Sequence, residues 1–184
     1  YAQPSTSVPS SSAPPVTTPD VLQQIRDLDA VAHLLIPSIA LDRYVVAGTS
    51  QQALKKGPGH DENTPLPGEA GNVVIVGHRT SYAAPFWDLD KLKIGDKIVL
   101  QTLIGDFTYQ VSESFEVVPL EYSRVVEAQD QPTLTLVTCT PKYTTKRRLV
   151  VRAVLVNAAD EERLAPPTYG YGPTTTLPVI PGAT

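Results

Sequence analysis

The sequence predicts an all-β domain, a barrel or a sandwich, set between two proline-rich ends, and three observations carry that reading. Short runs rich in Val, Ile, Leu, Thr and Tyr recur between turn residues, at 34–36, 39–46, 73–76, 97–103, 107–117, 133–138 and 149–156. Helical spacing of apolar residues is confined to one stretch, Val21, Leu22, Ile25 and Leu28. Ten of the 18 prolines fall in residues 1–20 and 157–184, which leaves eight for the 136 residues between and marks those residues as the folded part.

Residues 1–20 hold five Pro and eight Ser or Thr, with Asp20 the only charge. Such a composition buries too little apolar surface to offset chain entropy and predicts a flexible, extended tether. Asp20 is the expected N-cap of a short amphipathic helix ending near Asp29. From Leu34 the pattern is that of strands, interrupted by two longer connections. Residues 55–72 hold four Gly and three Pro and predict an ordered loop packed over one face. Residues 79–96 carry Phe86, Trp87, Leu89 and Leu92 before a Gly95-Asp96 turn and predict one or two helical turns that close the barrel. Residues 157–184 return to Pro, Gly and Thr and predict a mobile tail. The expected organisation is a tether at 1–20, a domain at 21–156 and a tail at 157–184.

Charge and composition exclude several function classes. With 19 acids against 15 bases, a net charge of −4, the chain lacks the basic surface that nucleic acid requires. One cysteine and three histidines do not make a zinc cluster, and Cys139 has no partner for an internal disulfide. The longest apolar stretch, residues 31–41, is broken by His33, Pro37 and Ser38 and is shorter than the roughly 18 to 20 residues of a membrane helix. A chain that begins at Tyr1 and contains no methionine is expected to be a fragment or a processed form.

Cys139 ends the run Thr133-Leu134-Thr135-Leu136-Val137-Thr138 and precedes Thr140-Pro141, where proline must leave the ladder. One reading is a small buried hydrophobe. The other is a reactive thiol at a strand end, because Lys142, Lys146, Arg147, Arg148 and Arg152 follow and residues 131–159 contain no acid, a setting that favours thiolate. His78 leaves the run 73–76 through Gly77, which allows close backbone approach, and is the expected partner of Cys139. His60 in the Gly-Pro loop is its competitor, and His33 reads as a strand-edge residue. Arg148 opens the strand after the cysteine and is placed to donate to an oxyanion, whereas Arg147 points to the opposite face. Strand-end thiol, imidazole and guanidinium together suit acyl transfer through a thioester with no metal or cofactor.

Gly77-His78-Arg79-Thr80-Ser81-Tyr82, Leu136-Val137-Thr138-Cys139-Thr140-Pro141-Lys142-Tyr143 and Arg148-Leu149-Val150-Val151 together resemble the three signatures of the sortase family, over residues 34–156. The histidine and cysteine contexts are most similar to class E, the housekeeping type of high-GC Gram-positive bacteria. The resemblance implies an eight-stranded closed β-barrel on the extracellular face of the cell membrane, anchored by an N-terminal helix absent from this chain. It implies a cysteine transpeptidase that cuts a C-terminal sorting signal of secreted proteins, Leu-Ala-X-Thr-Gly-like, between Thr and Gly. A peptidoglycan-precursor amine then resolves the thioacyl intermediate. Cys139 takes the role of nucleophile, His78 of acid and base, and Arg148 of oxyanion stabiliser, while Thr138, Val137, Tyr82 and Tyr143 are the expected substrate contacts. Two alternatives stand beside it: a pilus-type or Leu-Pro-X-Thr-Gly-specific sortase, and a wall-associated barrel that binds peptide without cleaving it.

Overall fold

The computed structural model describes residues 30–156, so the expected tether, the helix at 20–29 and the tail lie outside the described residues. The chain runs β1 (Ala30–Ile36), β2 (Leu41–Ala47), α1 (Gln51–Lys56), β3 (Gly59–His60), β4 (Asn72–Val76), β5 (Lys97–Thr102), β6 (Gly105–Val117), α2 (Tyr122–Val126), β7 (Thr133–Thr140) and β8 (Arg147–Leu155). These strands close a barrel in the order β1-β2-β3-β4-β7-β8-β6-β5, with β5 pairing back to β1. The expected all-β class and eight-stranded barrel are both present.

An eight-stranded barrel has an interior just wide enough for side chains to fill. Here Leu34, Ile36, Val45, Val73, Ile75, Ile98, Leu100, Tyr109, Leu134, Leu136 and Val151 fill it, all of them essentially inaccessible to solvent. Phe86 and Leu89 from the 79–96 connection join this core and Leu92 is nearly as buried, so that segment closes the barrel as expected. It does so with a single 3₁₀ turn, Leu89–Lys91, and leaves Trp87 partly exposed rather than packed inside. The 55–72 connection also packs down. The Gly68 N–H donates to the Tyr109 hydroxyl at 3.0 Å. A side chain at Gly68 would have its Cβ 2.1 Å from the Phe107 ring, and φ there is +87°, so only glycine fits.

Several boundaries differ from expectation, and β1 already starts at Ala30 rather than Leu34. The run at 39–46 starts as a strand only at Leu41, because Pro37 opens a 3₁₀ turn, Pro37–Ile39, and Ala40 takes a left-handed φ of 50° before the chain reverses. The strands around the cysteine are longer than the sequence runs suggest, β7 reaching Thr140 and β8 starting at Arg147. Within the connections lie α1, capped by the Ser50 hydroxyl accepting from Ala53 N–H at 3.2 Å, the two-residue β3, and α2. A second apolar cluster covers the outer face of the sheet: Val74, Val137 and Val150 under Val125, with Val76, Phe115, Val117 and Tyr122 around them.

Candidate active site

The site follows from the register of three neighbouring strands. Parallel pairing of β4 with β7 ends at Val76 opposite Val137. The ladder runs on past β4: Gly77 N–H donates to the Val137 carbonyl at 3.0 Å and Thr138 Oγ1 donates to the Gly77 carbonyl at 2.7 Å. The next step in the same register sets His78 beside Cys139. On the other side of β7, Cys139 pairs directly with Arg148 of β8. Directly paired residues share a sheet face and neighbouring strands lie about 4.8 Å apart. His78, Cys139 and Arg148 therefore form one row across β4, β7 and β8 on the outer face. Arg147 takes the opposite side, as expected, and reaches Glu116 at 3.3 Å.

Close approach of β4 to the 79–96 connection sets where His78 emerges. A Cβ on Gly77 would lie 2.5 Å from the buried Phe86 ring, so the chain passes there only as glycine. Phe86 N–H donates to the His78 carbonyl at 3.1 Å. Arg79, only 4% exposed, fixes the loop from beneath: its Nε donates to the Trp87 carbonyl and its Nη2 reaches Asp90, both at 2.8 Å. Sequence reasoning did not single out Arg79, whose acidic partner comes 11 positions later with no recognisable spacing.

Beside the row lies an open groove of about 700 Å³ between the loop after β4 and the β7–β8 loop, lined by residues that include His78, Arg79, Cys139, Tyr143 and Lys146. Cys139 is half-buried and lines this groove rather than the core. Burial lowers the His78 pKa below the ordinary imidazole value, which favours the neutral ring at neutral pH. His78 Nε2 and Arg79 Nη1 are shielded from solvent and have no hydrogen-bond partner among the described residues. Arg148 Nη1 donates to the carbonyls of Thr145 at 3.0 Å and Arg147 at 3.1 Å, tying the groove wall to its own strand. The same guanidinium acts on the Tyr122 phenol, whose pKa burial and Asp61 push up to about 12 while Arg148 pulls it down.

Much of the expected basic field is directed elsewhere. Lys142 lies 4.2 Å above the Trp87 ring and 4.0 Å from Asp88, Arg147 reaches Glu116, and Arg152 pairs with Glu113 at 2.9 Å. Lys146 and Arg148 are the bases left beside the groove. The other two histidines are engaged: the ring of His60, the competitor, is buried against the Pro65 carbonyl at 2.9 Å, and His33 Nε2 meets Asp42 at 2.6 Å.

Two expected substrate contacts are corrected. Thr138 is 1% exposed and faces the barrel interior, where its hydroxyl is spent on Gly77. Val137 is completely buried in the outer cluster beneath Val125. The two remaining candidates do lie near the row. Tyr143, 79% exposed, lines the groove and meets Trp87 edge-on at 6.0 Å between centroids. Tyr82 packs on the His78 ring, centroids 4.9 Å apart. Tyr82, Ala83 and Ala84 all have left-handed φ, at 50°, 61° and 44°, a run that costs non-glycine residues about 1–2 kcal/mol each.

Among curated proteins, the chain is 32% identical to sortase D of Bacillus subtilis over 108 residues, 59% of this chain and 53% of that protein. It is 30% identical to sortase SrtE1 of Streptomyces coelicolor over 63% of this chain and 33% of that protein. The chain thus spans about half or less of the length of these relatives. Among solved structures, a sortase D5 transpeptidase of Clostridium perfringens superposes with a TM-score of 0.68 at 32% identity, over 78% of this chain and 91% of that one. A sortase C of Clostridium perfringens, solved with the C-terminal cell wall sorting motif, gives 0.65 at 36% identity over 70% and 71%. The Sortase domain model matches residues 34–156, from within β1 through the end of β8, and on that match this chain belongs to the sortase family.

Proposed function

We propose that this chain is a cysteine transpeptidase of the class E type, acting at the extracellular face of the cell membrane on secreted proteins that carry a C-terminal sorting signal. The observation that carries the reading is the row His78, Cys139 and Arg148 across three adjoining strands at the rim of an open groove. Likeness to the sortase C solved with a cell wall sorting motif supports the substrate class.

Three side chains carry the chemistry. Neutral His78 accepts the thiol proton as Cys139 Sγ attacks the carbonyl carbon of the signal's Thr. Arg148 donates to the oxyanion of the tetrahedral intermediate. The Thr–Gly C–N bond then breaks, His78 returns its proton to the departing glycine amine, and a thioester remains on Cys139. An amine of a peptidoglycan precursor enters and gives a proton to His78. It then displaces the thiolate, which takes the proton back. Tyr143, on the groove wall, is the candidate for reading the second residue of the signal, Ala against Pro.

Incubation with a Leu-Ala-X-Thr-Gly peptide and an amine acceptor should yield a transpeptidation product and a thioacyl adduct on Cys139 by mass spectrometry. Turnover that survives Cys139→Ala would refute the mechanism. The alternative is a pilus-type or Leu-Pro-X-Thr-Gly-specific sortase, and direct peptide competition separates the two readings.

A further inference from the structure

We propose that Tyr82 is a positioning residue for His78: its ring, held by a left-handed turn, covers the imidazole and keeps water from its Nε2. The inference rests on the transpeptidase reading for its catalytic consequence but on geometry for its physical content. The two rings lie 4.9 Å apart at an interplanar angle of 49°, a packed contact rather than a chance approach. His78 Nε2 has neither solvent nor a hydrogen-bond partner among the described residues, which is costly for a polar atom unless function requires it.

Tyr82 stays over the imidazole because its backbone is over-determined. The consecutive left-handed residues Tyr82, Ala83 and Ala84 contain no glycine, so no local preference favours the turn. Hydrogen bonds within the connection hold it. Ala84 N–H donates to Ser81, Trp87 N–H to Ala84 and Phe86 N–H to His78, while Arg79 anchors the far side on Trp87 and Asp90. From α1, Lys55 Nζ lies 5.7 Å from the Tyr82 ring centroid, within cation–π range, and links the cover to a second element.

The titratable and charged groups around His78 among the described residues are Tyr82 and Arg79 of its own loop, Cys139 of β7, Tyr143 and Lys146 of the β7–β8 loop, and Lys55 behind Tyr82. None of these is a carboxylate that would favour the imidazolium, and burial lowers the His78 pKa. A covered, neutral imidazole has one orientation and is ready to take the thiol proton. An uncovered one is hydrated, protonates at higher pH and rotates.

The test is a ¹³C-histidine NMR titration of wild type, Tyr82→Ala and Tyr82→Phe, with His78→Gln to assign the signal, together with steady-state kinetics against pH. Tyr82→Ala should raise the His78 titration toward the ordinary imidazole value and move the acidic limb of kcat to higher pH. It should also lower kcat by roughly tenfold with KM unchanged. Tyr82→Phe should match wild type in the His78 titration and in the position of the acidic limb, since the contact is made by the ring. An unmoved His78 titration in Tyr82→Ala overturns the proposal, as does a rise in KM with kcat unchanged. Wild type that gives no transpeptidation product would defeat the transpeptidase reading while the titration still decides the role of Tyr82.

Discussion

Replacing Thr138 with valine tests whether the histidine and cysteine strands are held together by one hydrogen bond. Thr138 Oγ1 donates to the Gly77 carbonyl at 2.7 Å in a site that is 1% exposed, and each of these two residues is the chain neighbour of one reacting group, Cys139 or His78. Valine matches the shape and removes the donor, leaving a buried carbonyl without it at a cost of about 1–3 kcal/mol. Burial of the new methyl returns about 0.8 kcal/mol. The net is about 0.2–2 kcal/mol, or a fall in Tm of up to about 10 °C for a domain of this size. Thr138→Ser is the control, since it keeps the hydroxyl and loses a methyl at a similar cost of about 1 kcal/mol. Urea unfolding should therefore rank the two variants close together, whereas kcat for the sorting peptide should fall by roughly tenfold in valine and stay within about twofold in serine. Equal kcat in the two variants would refute the claim that this bond sets the His78 position. A valine variant as stable as wild type would refute the claim that the bond matters at all.

Three further outcomes follow from the same geometry. Gly77→Ala drives a Cβ to 2.5 Å from the buried Phe86 ring and should cost about 1–3 kcal/mol in denaturant unfolding, with activity lost beyond the loss of folded protein. Arg148→Ala should lower kcat by about 10²–10³, and Arg148→Lys should recover only part of it, because a point charge cannot hold Thr145 and Arg147 through one nitrogen and leave a planar donor for the oxyanion. His60 is buried and burial, the largest influence on it, lowers its pKa. The unfolded chain then binds more protons than the folded one below the ordinary imidazole value. Stability from this group is complete above that value and is lost as pH falls toward the folded-state value. The urea midpoint should drop between about pH 7 and pH 5, and His60→Gln should flatten that slope.

How far the sequence is readable depends on whether a feature is local. Runs of β-branched residues between turns locate the strands, and Pro141 marks the end of β7. Facing is another matter. In Thr133–Thr140 both sides are covered, one by the barrel core and one by the outer cluster, and the Thr-Leu alternation of 133–136 reverses at Val137-Thr138, so polarity does not say which residues point inward. Thr138 and Val137 read as groove residues for that reason, although both are buried. The left-handed turn at Tyr82–Ala84 has no glycine or asparagine to announce it, and α1, six residues long, is too short for a helical period to register. Glu113 and Glu116, which draw Arg152 and Arg147 away from the thiol, lie on β6, far from the basic run in sequence.

That redirection changes which charge lies beside Cys139, the proposed nucleophile. A basic run read along the chain suggests a diffuse field made by five cations, in which any single loss would be small. In the folded barrel the strand period divides them. Arg147 faces the opposite side from Arg148, Arg152 is engaged by Glu113, and Lys142 leans on Trp87. The charge that shares a row with the thiol is Arg148, placed there by a single pair in the β7–β8 register. A shift of that register by one residue would bring Arg147 beside Cys139 and send Arg148 to Glu116, leaving composition, net charge and strand content untouched. The chemistry proposed for Cys139 therefore depends on strand register rather than on how basic the segment is. The same register, extended through Gly77 and Thr138, brings the imidazole alongside.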